Sequence, residues 1–576
     1  MSLRDAMAET ENQTSGRIIL VALVLLCFML YLGARFFYWQ IWRRDMRDEA
    51  LNLRSVTQAI PPRRGEIRDN QGHLLAVEVQ NYHICGAPAE AKREEWLELA
   101  ERVAPIVNKP KGEILRLFDE NAERSYVRLA WNVSASRAKV VESWKLRGLF
   151  LEPVFGRGYP EGDFAGQLLG YVNMDGVGNY GIEGFYDDLL AGEPGVQRVY
   201  DSATGRMALE LRPAHDGASL TLTLNRAMQY EAERILRQAI EDQEAKSGTI
   251  IVLDPKTGSI LVMANWPSFN PNDYSGVPYE VLSNPAISQQ YEPGSVMKII
   301  TMAAGLDSGT VRRDSVYIDN GVFSFGARVI KNHDEKAYGR VSMTELLAYS
   351  LNIGAATIST NMGAKSFYGY LKDFGFGTTT GVDLMGESAG SLDTPGSPTW
   401  SESDLATNSY GQGMAVTPLQ MITAVAAVAN GGVLMQPHIV QEIRRGNEVQ
   451  TIQPKAVRRV ISEQAARDLT EMLVDAMRIG LEFCEINGYA VAGKTGTASI
   501  PIPGGYDPDP TAVIASFVGY LPAEDPRFVI LVKVDRPQLG IWGSAVAVPA
   551  FTELAQRLLT LSDMPPRNIQ LARGER

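Results

Sequence analysis

The apolar and polar positions divide the chain into stretches of different period. Ile18 to Ala34 is apolar throughout and bounded by Arg17 and Arg35, at the short end of the lengths that cross a bilayer. Phe36, Phe37, Tyr38, Trp39 and Trp42 follow as an aromatic belt, and Arg35 is placed to snorkel toward headgroups. One transmembrane helix is expected over 17–42, with a tail at 1–16 before it. A cleaved signal peptide is the competing reading, but Leu32-Gly33-Ala34 is only a passable cleavage site and the run is long for a signal core.

Beyond the span, Arg43 to Val56 is a polar, helix-compatible stem broken at Pro61-Pro62. Arg63 to Ala76 reads as two short extended pieces around a polar turn at Asp69 to Gly72. Residues 90–150 alternate helical patterns with short loops, and Arg157 to Pro160 and Gly176 to Gly184 look irregular. The region 43–225 is therefore read as a spacer or interaction domain. At Arg226 to Glu244 the period changes to 3.6, with Met228, Ala232, Ile235, Leu236 and Ala239 on one face. Two apolar strands, Gly248 to Leu253 and Ser259 to Ala264, follow around the turn 254–258. A second strand pair, Val513 to Tyr520 and Phe528 to Val534, precedes a final helix from Val546 to Leu561. Strand pairs at both ends of 226–564, with a mostly helical middle, predict one α/β domain whose sheet joins the two ends. The polar stretch 565–576 is expected to be disordered.

At 576 residues the chain needs two or three cores. Its 45% hydrophobic and 21% charged residues are those of a folded protein. A net charge of −12, with no strongly basic stripe beyond the N-terminal region, argues against nucleic acid as a partner. Cys27, Cys85 and Cys484 lie far apart and fit no metal or redox spacing, so no disulfide is expected. The five histidines form no ligand cluster.

The candidate chemistry begins at Glu292-Pro293-Gly294-Ser295-Val296-Met297-Lys298. The Pro-Gly turn places Ser295 in the first turn of an apolar helix, with Lys298 one turn above it on the same face. A lysine whose pKa is lowered by burial or charge is able to take the serine proton, and helix-start N–H groups suit an oxyanion. Isolated Ser-x-x-Lys pairs are ordinarily a capping serine with a solvated lysine, and Ser136 with Lys139 is given that reading. Acyl transfer also needs a proton donor and a polar clamp. Ser350-Leu351-Asn352 offers a hydroxyl and an amide; Lys494-Thr495-Gly496-Thr497 offers a cation, two hydroxyls and a glycine that a substrate backbone can approach. Ser268-Phe269-Asn270, Ser359-Thr360-Asn361 and Lys256-Thr257-Gly258 fit the same patterns. Order excludes Ser268 and Lys256, but spacing alone does not choose between Ser350 and Ser359.

In this order the three motifs resemble those of class B penicillin-binding proteins, membrane-anchored peptidoglycan D,D-transpeptidases. Tyr291 to Lys298, Tyr349 to Gly354 and Gly493 to Ala498 are similar to the family's three motifs, which favours Ser350 over Ser359. Arg64 to Asp69, with Gly72 and Leu75-Ala76, is similar to its pedestal signature. Tyr410-Gly411-Gln412-Gly413 with Thr417 to Gln420 resembles the stretch before its late helix.

The resemblance implies a transpeptidase domain of the serine β-lactamase-like fold, an antiparallel sheet with helices. An elongated α+β pedestal and one membrane helix would precede it. Ser295 would attack the D-Ala–D-Ala carbonyl of a stem peptide, lipid-linked or on nascent glycan, with Lys298 as base. The N–H groups of Ser295 and Thr497 would form the oxyanion hole, and Ser350 would relay a proton to the leaving D-Ala, helped by Lys298 and Lys494. Asn352 would hold the donor's amide, while Lys494, Thr495 and Thr497, with Gly496 between them, would take the carboxylate. β-Lactams would acylate Ser295, and no metal or cofactor is required. The expected partners are a polytopic glycosyltransferase of the shape, elongation, division and sporulation (SEDS) family and other divisome membrane proteins.

The charges around the span, Arg4 and Arg17 before it against Arg35, Arg43, Arg44 and Arg47 after, leave topology open. The resemblance places the tail in the cytoplasm and the catalytic domain outside the bacterial plasma membrane. The family's elongation members are often longer, so septal division is preferred to elongation. The rival readings are a β-lactamase, a β-lactam sensor and a non-catalytic scaffold; the pedestal, the single span and the intact motifs respectively weigh against them.

Overall fold

Five antiparallel strands build the C-terminal region, in the order Ile260–Trp266, Ser247–Leu253, Phe528–Asp535, Val513–Leu521 and Ala492–Ser499. The structure, a computed structural model, describes residues 3–42, 55–202, 205–481 and 485–564. Of the expected stem at 43–56 only Ser55 and Val56 are described, and they open the strand Ser55–Ile60 rather than a helix; the tail at 565–576 and Cys484 lie outside the described residues. The two anticipated strand pairs meet each other from Ser247 opposite Asp535 to Leu253 opposite Val529, so one sheet joins both ends of the region.

Every residue of Val513–Leu521 and Phe528–Asp535 is buried, because helices cover both faces. Alternation sorts their side chains. Ala515, Phe517, Ile530, Val532 and Val534 pack with helices Arg226–Asp242 and Gly543–Leu561. Ile514, Val518, Tyr520, Val529 and Leu531 face the layer of Met297–Asp307, Pro418–Ala429 and Glu463–Leu481. The edge strand Ala492–Ser499 is absent from the apolar pattern. It owes its conformation to pairing, with Lys494 opposite Val518 and Thr497 opposite Ala515.

The pedestal sheet has seven strands. Ile67–Arg68, Leu74–Gly86, Val127–Ser134, Leu149–Gly158 and Ser219–Leu222 are joined by Val440–Arg445 and Glu448–Thr451. The last two strands come from within 226–564, so the boundary expected near residue 225 divides the chain but not the sheet. Arg157-Gly158, read above as irregular, closes a ten-residue strand. Helices Arg93–Val107 and Lys111–Glu120 cover a core of Ile84, Trp96, Leu99, Phe118 and Leu129.

The motif Arg64 to Asp69 acts as a joint. Arg64 pairs with Glu183 at 2.7 Å and Asp187 at 2.8 Å, and Arg157 holds Glu183 from the other side at 2.6 Å. Glu183 is fully buried, and the two guanidiniums offset the cost of burying its charge. Asp69, also fully buried, accepts from the N–H groups of Gln71 and His73 at 2.9 and 2.8 Å. Its other oxygen takes the N–H of Arg226 at 3.3 Å, at the first residue of the catalytic domain's first helix.

The described residues within 1–62 and 192–215 form a second compact unit. In it, Gly195–Ser202 pairs with both Ser55–Ile60 and Gly205–Arg212, so part of the expected 43–225 domain belongs to a separate three-stranded sheet. The N-terminal helix runs Leu3–Phe37 with a π turn at Tyr38–Trp42. Its stretch Gly16–Ile41, with a mean hydropathy of 2.5 and none of that core buried, is long and apolar enough to cross a membrane.

One contact makes the junction between pedestal and catalytic domain depend on pH. Glu233 accepts from Ala165 N and Gln229 Nε2, both at 2.8 Å, and burial pushes its carboxyl up to about 7. Because the folded value lies above the ordinary 4.5, this contribution is full below that pH and lost as pH rises through about 7. Between about pH 5 and about pH 8, wild type should lose on the order of 1–2 kcal/mol more unfolding free energy than Glu233→Gln. Urea unfolding at the two pH values measures the difference, and equal losses would refute the assignment.

Candidate active site

Ser295 occupies the 3₁₀ turn Gly294–Val296 that leads into the Met297–Asp307 helix. Met297 to Gly305 are all buried, so Ser295 stands at the mouth of a helix with no solvated face. Lys298 is 1% exposed. Its Nζ lies 3.0 Å from Ser295 Oγ, 2.7 Å from Ser350 O, 3.2 Å from Ser350 Oγ and 2.7 Å from Asn352 Oδ1. One amine thus joins the first two motifs.

The second motif is shaped by a backbone turn. Helix Met343–Ala348 ends at Tyr349, Ser350 adopts a left-handed φ of 57°, and the N–H of Leu351 returns to Leu346 O at 3.0 Å. That is the helix stop at which glycine is usual, and a serine there costs about 1 kcal/mol. The next helix begins at Asn352, whose Nδ2 donates to Lys331 O at 3.1 Å and so keeps Oδ1 toward Lys298.

The third motif lies on the sheet edge beside the nucleophile. Thr495 and Thr497 are half-buried at i and i+2, on one face of the strand. Thr497 Oγ1 accepts from Gly543 N at 3.2 Å. Lys494 is 4% exposed, with Nζ 3.3 Å from both Thr495 O and Thr495 Oγ1. Gly496 has a different reason from the one expected. A Cβ there would fall 2.4 Å from Ser516 Oγ and 2.8 Å from Val296 Cγ2. The missing side chain therefore lets the strand close on the turn that carries Ser295, on its protein side. Gly294 completes the fit: its φ is +55°, and a Cβ would meet Thr497 O at 2.9 Å.

Burial dominates the electrostatics. Lys298 is held well below the ordinary lysine range by loss of water, with Lys494 adding repulsion. Burial pushes Lys494 down to about 7. His333 is lowered by burial, with both lysines adding to the effect, and its ring meets Trp542 edge-on at 5.7 Å.

The structure brings Ser295, Lys298, Ser350 and Asn352 into direct contact and sets Lys494, Thr495, Gly496 and Thr497 beside them. The look-alikes lie elsewhere. Ser359 is buried inside a helix, bonded to Ala356 O; Lys256 pairs with Asp525 on the surface. Ser268 bonds Asp163 O, and Ser136 and Lys139 are exposed. The motifs assign no role to Glu292, Gly411, Gly413 or Tyr506, which hold the turn that carries Ser295. Only Glu292, Gly411 and Gly413 stand in a quoted motif, and Tyr506 has no sequence signal.

The family model described as the penicillin binding protein transpeptidase domain matches residues 248–556, and that for the penicillin-binding protein dimerisation domain matches 59–222. The chain belongs to the class B penicillin-binding proteins. This penicillin-binding protein is 31% identical to stage V sporulation protein D of Bacillus subtilis, over 96% of the chain and 87% of the relative. It is 30% identical to peptidoglycan D,D-transpeptidase FtsI of Escherichia coli, over 97% and 94%. Among solved structures it resembles a penicillin-binding protein 3 of Mycobacterium tuberculosis in complex with aztreonam. That likeness has a TM-score of 0.68 and 27% identity, covering 88% of this chain and 98% of that one.

The left-handed Ser350 is testable apart from catalysis. Ser350→Gly should be more stable than Ser350→Ala by roughly 1 kcal/mol, although both lose the hydroxyl. Thermal unfolding of the two variants decides it, and the reverse order would show that the turn carries no strain.

Proposed function

We propose that this protein is a serine-type peptidoglycan D,D-transpeptidase in which Ser295 is the nucleophile and Lys298 its base. The observation that carries the reading is the buried amine 3.0 Å from Ser295 Oγ. A neutral lysine spends its two N–H bonds on Ser350 O and Asn352 Oδ1, both 2.7 Å away. Its lone pair is then directed at a hydroxyl, which is what a general base requires.

Ser295 Oγ attacks the carbonyl of the penultimate D-Ala while its proton passes to Lys298. The tetrahedral oxygen is held by the N–H groups of Ser295 and Thr497. The proton then travels through Ser350 Oγ to the departing D-Ala nitrogen. Lys494 and the hydroxyls of Thr495 and Thr497 hold the terminal carboxylate, and Asn352 the donor's amide. The amine of a second stem peptide attacks the ester, restoring Ser295 and forming the cross-link. β-Lactams take the place of D-Ala–D-Ala and leave an ester that hydrolyses slowly.

The site of action is septal wall synthesis, a reading supported by the resemblance to FtsI over nearly the whole chain. The catalytic domain faces outward from the plasma membrane, where its substrate lies. The N-terminal helix and pedestal dock a polytopic SEDS-type glycosyltransferase and other divisome membrane proteins.

Intact-mass spectrometry of the detergent-solubilised protein with benzylpenicillin tests the nucleophile. One drug mass should add to wild type and none to Ser295→Ala; an adduct that survives in the variant would refute the assignment and bring the scaffold reading forward. The two lysines also predict a bell-shaped pH profile for acylation. The rate rises with pH as Lys298 loses its proton and falls above about 7 as Lys494 loses its charge. A bound carboxylate moves the second limb upward. Acylation by a fluorescent penicillin, followed against pH, measures both limbs, and a rate still rising at about pH 9 would show that the charge on Lys494 is not used.

A further inference from the structure

The turn that carries Ser295 makes no side-chain cap for its own helix. Two segments distant in sequence hold it instead, Gly411–Gly413 and the hairpin that carries Tyr506. Gly411 stands against it so closely that a Cβ would fall 2.3 Å from Gly294 O, and Gly294 N donates to Gly411 O at 3.1 Å. Glu292, 8% exposed, accepts from Gly413 N at 2.8 Å through Oε1 and from the Tyr506 hydroxyl at 3.0 Å through Oε2. Arg328 is near enough to act on Glu292, Tyr410 and Tyr506 electrostatically.

Tyr506 belongs to the small hairpin of Pro501–Ile502 and Gly505–Tyr506, which continues the strand Ala492–Ser499 past the third motif. The hairpin is otherwise exposed, with Ile502 at 42% and Tyr506 at 38%. One path thus links the third motif to the turn that carries Ser295. It leaves Thr497, passes through the hairpin to Tyr506, crosses a hydrogen bond to Glu292, and runs on through Pro293 and Gly294 to Ser295. Ser295 and Thr497 are also the two residues whose N–H groups must sit a fixed distance apart to hold one oxygen.

We infer that Glu292 is a positioning residue: with Tyr506 and Gly413 it ties the hairpin beyond the third motif to the nucleophile turn and so sets the spacing of the oxyanion donors. The inference rests on the proposed transpeptidase reading. It adds to that reading that the segment 500–512 is part of the acylation machinery although it carries no group that reacts. A carboxylate suits the place because it accepts from two directions and donates to neither, which no neutral side chain of that length does as well.

The test is Tyr506→Phe, which removes one hydroxyl from an exposed hairpin, with Glu292→Gln, Glu292→Ala and the double variant Glu292→Ala/Tyr506→Phe beside it. Stopped-flow acylation by a fluorescent penicillin separates binding from the chemical step. Tyr506→Phe should lower the acylation rate constant about tenfold at unchanged drug affinity and melting temperature. Glu292→Ala should lower it further, Glu292→Gln should recover part of the loss, and the double variant should be no worse than Glu292→Ala. Hydrogen exchange of the full-length protein supplies a readout that needs no drug. In Tyr506→Phe, protection should fall at Glu292 to Val296 as well as in the hairpin. Unchanged acylation, additive losses in the double variant, or exchange confined to the hairpin would each overturn the inference. Failure of wild type to acylate would instead count against the transpeptidase reading, and the exchange experiment would still decide the tie.

Discussion

Lys298 is kept from water and held well below the ordinary lysine range, and much of the catalytic domain contributes to that one constraint. Lys298 reaches its burial because the Met297–Asp307 helix is surrounded on all sides, with the five-stranded sheet beneath it and the Asn352–Met362 helix at its flank. Desolvation alone would leave the amine without hydrogen-bond partners, so the second motif supplies two acceptors at 2.7 Å. The third motif brings another buried lysine close enough to repel a charge on Lys298. The motifs are thus three sides of one dry enclosure.

The same enclosure explains why glycine and strain occur where they do. Gly294 and Gly411 let backbone approach backbone around Ser295, and Gly496 lets its strand close on Val296 and Ser516, leaving no room for a Cβ at any of the three. Ser350 takes a conformation that a glycine would adopt more easily, with its hydroxyl 3.2 Å from Lys298 Nζ. Strain tolerated at a functional side chain is the usual reason for such an exception.

What was legible in the sequence followed from range. Ser295 and Lys298 are three residues apart, across a 3₁₀ turn that runs straight into a helix, so their contact is dictated locally, and the two apolar strand pairs announced a sheet buried on both faces. Ser350 could not be told from Ser359 by spacing, because the difference lies in a left-handed turn in one case and a helix interior in the other. Gly496 was assigned to substrate approach, whereas its empty side faces Val296 and Ser516. The edge strand Ala492–Ser499 has no apolar alternation of its own, and the contacts of Glu292 span 121 and 214 residues. No local rule reaches that far.

The pedestal sheet has a consequence for how the molecule is made. Its strand Ser219–Leu222 pairs on one side with Ile67–Arg68 and on the other with Val440–Arg445, which carries Glu448–Thr451 at the edge. During synthesis the N-terminal strands emerge long before those two, so the exposed edge of Ser219–Leu222 must wait through most of the catalytic domain's translation. The pedestal sheet is therefore complete only once Glu448–Thr451 has been made, and cutting the chain at residue 225 would strip the pedestal of two strands and leave the catalytic region with an unpaired hairpin.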